Sequence, residues 1–423
     1  MLDTLKRAWG EEEIRKKFYF TLVMLLIYRL GNNIPIPFID AQKLAAAYKG
    51  MEGTLVDYLN MLTGGGLSTL SIFALGVQPY ITASIVMQLL TVVIPRFEEL
   101  TKEGEAGRKT IQKYTRYMTI FLAIFQAIAI TNGLYGAALS SATPFQKLVM
   151  NVVLIGGTML VTWMGETITE KGIGNGVSII IFMGIIANVP KTLKTWKTGL
   201  HYNTISWLSI LVMAIVVIFI VVFTVRITEG ERKIPVQYAK RVVGRKMYGG
   251  QSTHIPVKVN MSGVMPIIFA SAVLAIPSTI SLFMGRANGG LNQFFSKSTH
   301  GFIIYLVVQA ALILVFAYFY NMIQFNTVEY AKQLQQNGGF VPGIRPGKPT
   351  SDYLAKVGNK ITFIGAISLA LLTIVPALSS RFLGLNLSFG GSSVIIVVGV
   401  ILETVKQIEA MLTMKNYKGF LNR

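Results

Sequence analysis

The amino-acid sequence predicts an all-α, polytopic membrane protein of ten transmembrane helices, arranged as two inverted-repeat halves of five. Three observations carry this expectation. Apolar residues make up 52% of the 423-residue chain and charged residues only 14%, with mean hydropathy at +0.55. The charges gather in clusters between long uncharged stretches, as they must where segments cross hydrocarbon. Two short motifs also recur at equivalent places in the two halves of the chain. Because hydrocarbon offers no water to bond with, a span must satisfy its own backbone, which a helix does locally. The alternating ten-residue pattern of a membrane β-barrel is absent.

The chain opens with Lys6, Arg7, Arg15, Lys16 and Lys17 ahead of its first apolar run, and no small-residue cleavage site follows. This reads as a short charged surface helix before a retained first span. The apolar runs of the first half are Phe18 to Ile34, Leu75 to Ile94, Met118 to Leu134, Leu148 to Met164 and Val177 to Val189. Those of the second half are Ile205 to Val225, Val264 to Met284, Phe302 to Phe325, Ile361 to Leu378, and Ser393 to Leu402 with a polar continuation. Placing both termini in the cytoplasm puts most of the 39 basic residues on the cytoplasmic side, as the positive-inside rule requires. Lys191, Lys194 and Lys197 are the local exception, in a loop expected on the outer face.

The repeat is visible in GVQPYITASIV at Gly76 to Val86 and GVMPIIFASAV at Gly263 to Val273, which match at seven of eleven positions. A second pair, GVSIII at Gly176 to Ile181 and GSSVII at Gly391 to Ile396, falls in the fifth and tenth spans. A repeat of five spans is odd in number, so its copies cross the membrane in opposite directions and enclose a site at the midplane. Residues 1–200 and 201–423 are the two halves of one integrated membrane domain. Spans five and ten are short before glycine or charge interrupts them, a further pointer to a central path.

The chemistry of that path is constrained by what lines it. The charges near a span interior are Arg29, close to an outer end, and Glu403, near an inner one, and the three histidines fall in loops. There is no cysteine and no HExxH helix, so no catalytic, metal or cofactor site is expected. Small-solute transporters ordinarily place charged groups in the membrane, which leaves an inverted-repeat transporter as the competing reading. The helix starts marked by the repeat carry aliphatic side chains, which block ions by dewetting. Ahead of the second span, Gly64, Gly65 and Gly66 precede LSTLSIFALG, either a short half-helix dipping into the membrane or a cap and loop. The Ala83-Ser84 and Ala270-Ser271 steps let spans two and seven approach closely. The segment Arg226 to Asn260 carries eight Lys or Arg against two acids, and Asn326 to Lys360 five against two, in long loops over about 226–262 and 326–360. These suit anionic lipids or a docked partner, and the GIRPG turn presents Arg345 rigidly.

At this point the sequence resembles the SecY family, the central subunit of the bacterial Sec translocon, over essentially its whole length. The strings that carry the likeness are IPIPFID, SIFALGVQPYITASIVMQLL, KEGEAGRK, QKYTRY, GETITEKGIGNGVSIIIF, QSTHIPVKVNMSGV and GGFVPGIRPG. The FNTVEYAKQLQQ stretch from Phe325 departs from the family's usual Asn-Pro version, and the chain is short at its C-terminus. The resemblance implies a channel for unfolded, signal-sequence-bearing polypeptides that also releases hydrophobic segments into lipid. Its pore ring would be Val77, Ile81, Ile181, Ile268 and Ile396, four of them from the two repeated pairs. Its plug would be a half-helix around Leu62 to Ala74, with Leu62, Gly64, Gly65, Leu67 and Ile72. The lateral gate would part spans two and seven at Ser84, Ile85, Gln88, Ala270, Ser271 and Leu274, flanked by spans three and eight. Arg241, Arg245, Lys246 and Arg345 would dock the SecA motor ATPase or a ribosome. SecE and SecG-like small membrane subunits are the expected partners, and a bacterial plasma membrane the expected location.

Overall fold

The computed structural model describes residues 2–40, 42–44, 48, 55–136, 138–140, 142–202, 205–238, 241–243, 246–248, 252–283, 299–383 and 391–421. Helices α1 (Leu2–Gly10) and α2 (Glu12–Gly31) lead to α3 (Leu55–Leu62), the bent pair α4 (Gln78–Val93) and α5 (Pro95–Lys102), and α6 (Glu105–Ile128). A π turn over Ala129–Leu134 extends α6, and α7 (Pro144–Lys171) and α8 (Gly176–His201) complete the first half. The second half contains α9 (Trp207–Glu229), α10 (Met265–Phe283), α11 (Thr299–Gln324), α12 (Thr327–Gln336), α13 (Lys348–Leu383) and α14 (Gly391–Leu421). A helix lies over each of the ten expected spans.

By length and composition, six helices among the described residues can cross a membrane, and α4 with α5, bent by 98°, makes a seventh candidate. The bend falls at Pro95, which has no N–H for the helical ladder. Helix starts are set locally. Thr143 and Gln146 form a reciprocal capping box at α7, and Asn175 caps α8 by accepting from the Ser178 N–H. The apolar part of the fifth span is short, as expected, but its helix is not: α8 continues through Pro190 to His201. Lys191, Lys194 and Lys197 therefore stand on a helix and not in a loop. The tenth span likewise continues in α14 to Leu421. His201 closes α8, and His300 lies near the start of α11.

The packing repeats between halves. In the first, α4 packs on α6, α6 on α7, α7 on α8, and α2 on both α7 and α8. The second shows the same five pairings: α10 on α11, α11 on α13, α13 on α14, and α9 on both α13 and α14. The halves meet where α10 touches α4, α6 and the π turn, and where α8 touches α14.

The two basic loops depart from the expectation of irregular chain. Strand β1 (Glu231–Tyr238) pairs antiparallel with β4 (Ser252–Lys258), with Ile234 opposite Ile255, and His254 stands on β4. Between them β2 (Arg241–Val243) pairs with β3 (Lys246–Tyr248), and β5 (Gly339–Phe340), from the second loop, adds to β1. Ile234, Val236 and Val257 alternate inward and pack with Phe325, Leu334, Val341, Leu354 and Ile361. The two loops thus share one small apolar core.

Candidate pore and lateral gate

Each expected ring residue sits at or just inside a helix start. Val77 is the residue before α4, Ile81 lies in its first turn, and Ile268 in the first turn of α10. Ile181 and Ile396 occupy the second turns of α8 and α14. The fold brings all five into one buried apolar cluster, where their exposure is 7% or less. Ile81, Ile181 and Ile268 form the floor of a cavity of about 850 Å³. Its walls carry Arg108, Lys109, Lys113 and Arg116 from α6 and Glu166 and Glu170 from α7. Arg116 Nη2 and Nε donate to the two Glu166 carboxylate oxygens at 2.6 and 3.1 Å, a bidentate pair that fixes α6 on α7. Val77, Ile81 and Ile181 also bound a second, much smaller cavity of about 40 Å³, lined by Leu62, Thr63, Leu67 and Ala74. Ile81 and Ile181 therefore face two spaces, one wide and lined with charge and the other narrow and largely apolar.

The segment expected as a half-helix over Leu62 to Ala74 has a different conformation. The helix comes earlier, as α3, and ends at Leu62; residues 63–77 are a run of turns. Gly64 (φ 70°) and Gly65 (φ 91°) adopt left-handed backbone that stops a helix. Leu67 is buried and Ile72 half-buried, and both pack on Leu154 and its neighbours in a second apolar cluster. The segment is held chiefly through its carbonyls. Tyr135 Oη donates to Leu67 O at 2.8 Å, and just ahead of the segment Asn188 Nδ2 donates to Met61 O at the end of α3 at 3.3 Å. Backbone bonds from Ile36 N to Leu70 O and from Ile72 N to Ile34 O clasp it against the chain that follows α2.

At the seam between α4 and α10, Ala83 and Ala270 are fully buried, and Ile85 and Ser271 nearly so. Ser84, Gln88 and Leu274 are half-buried, and the first two line the large cavity. Ser271 Oγ is buried with no hydrogen-bond partner. A contact the sequence did not signal crosses the same seam: Tyr320 Oη, on α11, donates to Gln88 Oε1 at 2.6 Å, and Gln88 Nε2 donates to Ser84 Oγ at 3.2 Å. Tyr320 in turn lies against Phe269 of α10, with ring centroids 5.3 Å apart.

Arg345 is exposed on a turn bracketed by Gly343 (φ 81°) and Gly347 (φ 92°) and anchored where Thr350 Oγ1 donates to Arg345 O at 2.8 Å. Arg241 and Lys246 stand on β2 and β3, while Arg245 lies outside the described residues.

The SecY family profile matches residues 71–405 of this chain. The protein translocase subunit SecY of Streptomyces galbus is 43% identical, with the whole of both chains covered. A solved SecY structure, of a protein whose plug domain stabilises the closed state of the translocation channel and maintains a membrane seal, superposes with a TM-score of 0.67 at 18% identity, covering 94% of this chain and 92% of its own. Sec61 in the canine ribosome-channel complex from the endoplasmic reticulum superposes with a TM-score of 0.61 at 17% identity, covering 94% and 92%. These relatives lend no support to the small-solute transporter that the same repeat also suits. With a family profile spanning most of its length and a relative aligned from end to end, this chain is a multi-pass membrane protein that belongs to the SecY family of protein translocase subunits.

Proposed function

We propose that this chain is the polypeptide-conducting pore of a Sec translocon, sealed at rest by the ring of Val77, Ile81, Ile181, Ile268 and Ile396. The observation that carries the reading is the meeting of both repeated pairs in one buried apolar cluster, with Ile81 and Ile181 lining both cavities. An aliphatic constriction excludes ions by dewetting, yet has no polar group to bind a passing chain. The wide cavity is the cytoplasmic entrance, and the segment from Leu62 to Ala74 is the plug beneath the ring, a reading supported by the plug domain named for a structurally similar SecY channel. A signal sequence leaves sideways where α4 parts from α10, gaining about 0.3–0.6 kcal/mol per Leu, Ile, Phe or Val on reaching lipid.

The termini lie in the cytoplasm of a bacterium whose plasma membrane holds the channel. The two basic loops dock the SecA motor or a ribosome through Arg345, Arg241, Arg245 and Lys246, and anionic lipids share that basic face. Small SecE and SecG-like subunits complete the complex.

The test is the double variant Ile81→Asn/Ile268→Asn in lipid bilayers. Each unsatisfied amide costs the dry ring about 1–3 kcal/mol, so water enters and resting ion conductance rises. Resting conductance at the wild-type level would overturn the ring as the seal.

A further inference from the structure

We propose that Arg29 and Asn32, at the end of α2, are a latch that holds the 63–74 segment in the pore chiefly by gripping its backbone carbonyls. The proposal rests on reading that segment as the plug. Arg29 is a charge at the end of an apolar run, and its Nη1 donates to Gly64 O at 2.9 Å. Asn32, which is 3% exposed, donates from Nδ2 to Thr63 O at 2.7 Å and to Gly64 O at 3.0 Å. Its Oδ1 accepts from Ser71 Oγ at 3.1 Å, so one side chain ties the two ends of the segment together. Tyr28 adds a bond from Oη to Thr63 O at 3.2 Å and stacks on Phe73 with centroids 5.8 Å apart.

The position explains the chemistry. Thr63 and Gly64 follow the last residue of α3, where helical carbonyls run out of intrahelical donors and the helix dipole is negative. A guanidinium and an amide delivered from α2 supply those donors, and Arg29 brings the complementary charge. When the segment swings away, the carbonyls lose their donors and the part-buried Arg29 loses its anchor, so the closed position is favoured until a substrate displaces it. At Thr63 and Gly64 the grip does not depend on the side chain, because every residue offers a carbonyl.

The assembled complex, reconstituted in planar bilayers with potassium chloride as the only permeant, tests this in four channels: wild type, Arg29→Met, a deletion of residues 65–70, and the two changes combined. The latch predicts that Arg29→Met raises resting open probability about tenfold, equivalent to ~1.4 kcal/mol. It also predicts that Arg29→Met adds nothing once residues 65–70 are gone. If the deletion opens the channel and Arg29→Met does not, the latch is wrong and the plug reading survives. If the deletion itself leaves the channel closed, the plug reading fails and the latch with it. An Arg29→Met effect that persists in the deleted channel places the action of Arg29 elsewhere and also overturns the latch. Arg29→Lys, which keeps one charged donor, stands in if Arg29→Met does not assemble, and is judged by the same outcomes with an intermediate rise expected.

Discussion

Tyr320→Phe removes one hydroxyl from the seam between the halves and leaves the ring that packs beside Phe269 in place. That hydroxyl makes the 2.6 Å bond to Gln88 Oε1, which joins α11 to α4 across the proposed gate. Interhelical hydrogen bonds in membranes average about 0.6 kcal/mol and reach about 1.7. Their loss favours the open seam by roughly threefold to twentyfold, since about 1.4 kcal/mol is tenfold. Gln88 also lines the large cavity, where water can replace the lost donor, so the lower part of that range is expected. The chain has no cysteine, which makes a single reporter thiol unambiguous. Ser271→Cys is the suitable site, because its hydroxyl is buried without a partner and a thiol behaves there as a small apolar group. The rate at which a water-soluble thiol reagent labels that cysteine reports how often the seam opens. Tyr320→Phe should raise the rate about threefold in the Gln88 background and not at all in Gln88→Leu. An unchanged rate in the first, or an equal rise in the second, would show that this bond does not hold the gate.

Arg345→Glu is expected to abolish partner-stimulated translocation while leaving membrane insertion and complex assembly intact, because a bidentate cation on a rigid turn becomes a repelling anion; transport assayed in vesicles at the wild-type level would reduce the turn to a topogenic role. Gly184→Ala places a methyl 2.6 Å from Leu62 O and 3.1 Å from Gly64 N, so α8 or the plug root must shift. Overpacking of that kind costs about 1–3 kcal/mol and should lower the unfolding midpoint and raise resting conductance, whereas Gly156→Ala, with nothing within 4 Å, should do neither.

Much of the architecture was legible in residue order because hydropathy is local. A run such as Trp207–Glu229 is apolar whatever surrounds it, and the match of Gly76 to Val86 with Gly263 to Val273 marks Ile81 and Ile268 as equivalent positions without reference to packing. The turn-rich 63–77 segment was half legible: the glycines marked a break, but the positive φ angles that follow α3 are a property of the folded path. The sheet in the basic loops also left a trace, the paired Ile-Pro-Val strings at Ile234 and Ile255, obscured by the surrounding charge.

Residue order alone was enough to find the ten apolar spans, their repeat, and the aliphatic residues that begin the central ones. Tertiary structure alone decided which groups from distant helices answer one another: Tyr320 with Gln88, Arg116 with Glu166, Arg29 and Asn32 with the carbonyls of Thr63 and Gly64. Periodicity reports the face a side chain must present to lipid or core, and that is set within a few residues. A hydrogen bond to a backbone carbonyl leaves no such mark, since every residue carries the acceptor and only the fold selects which one is left without a donor.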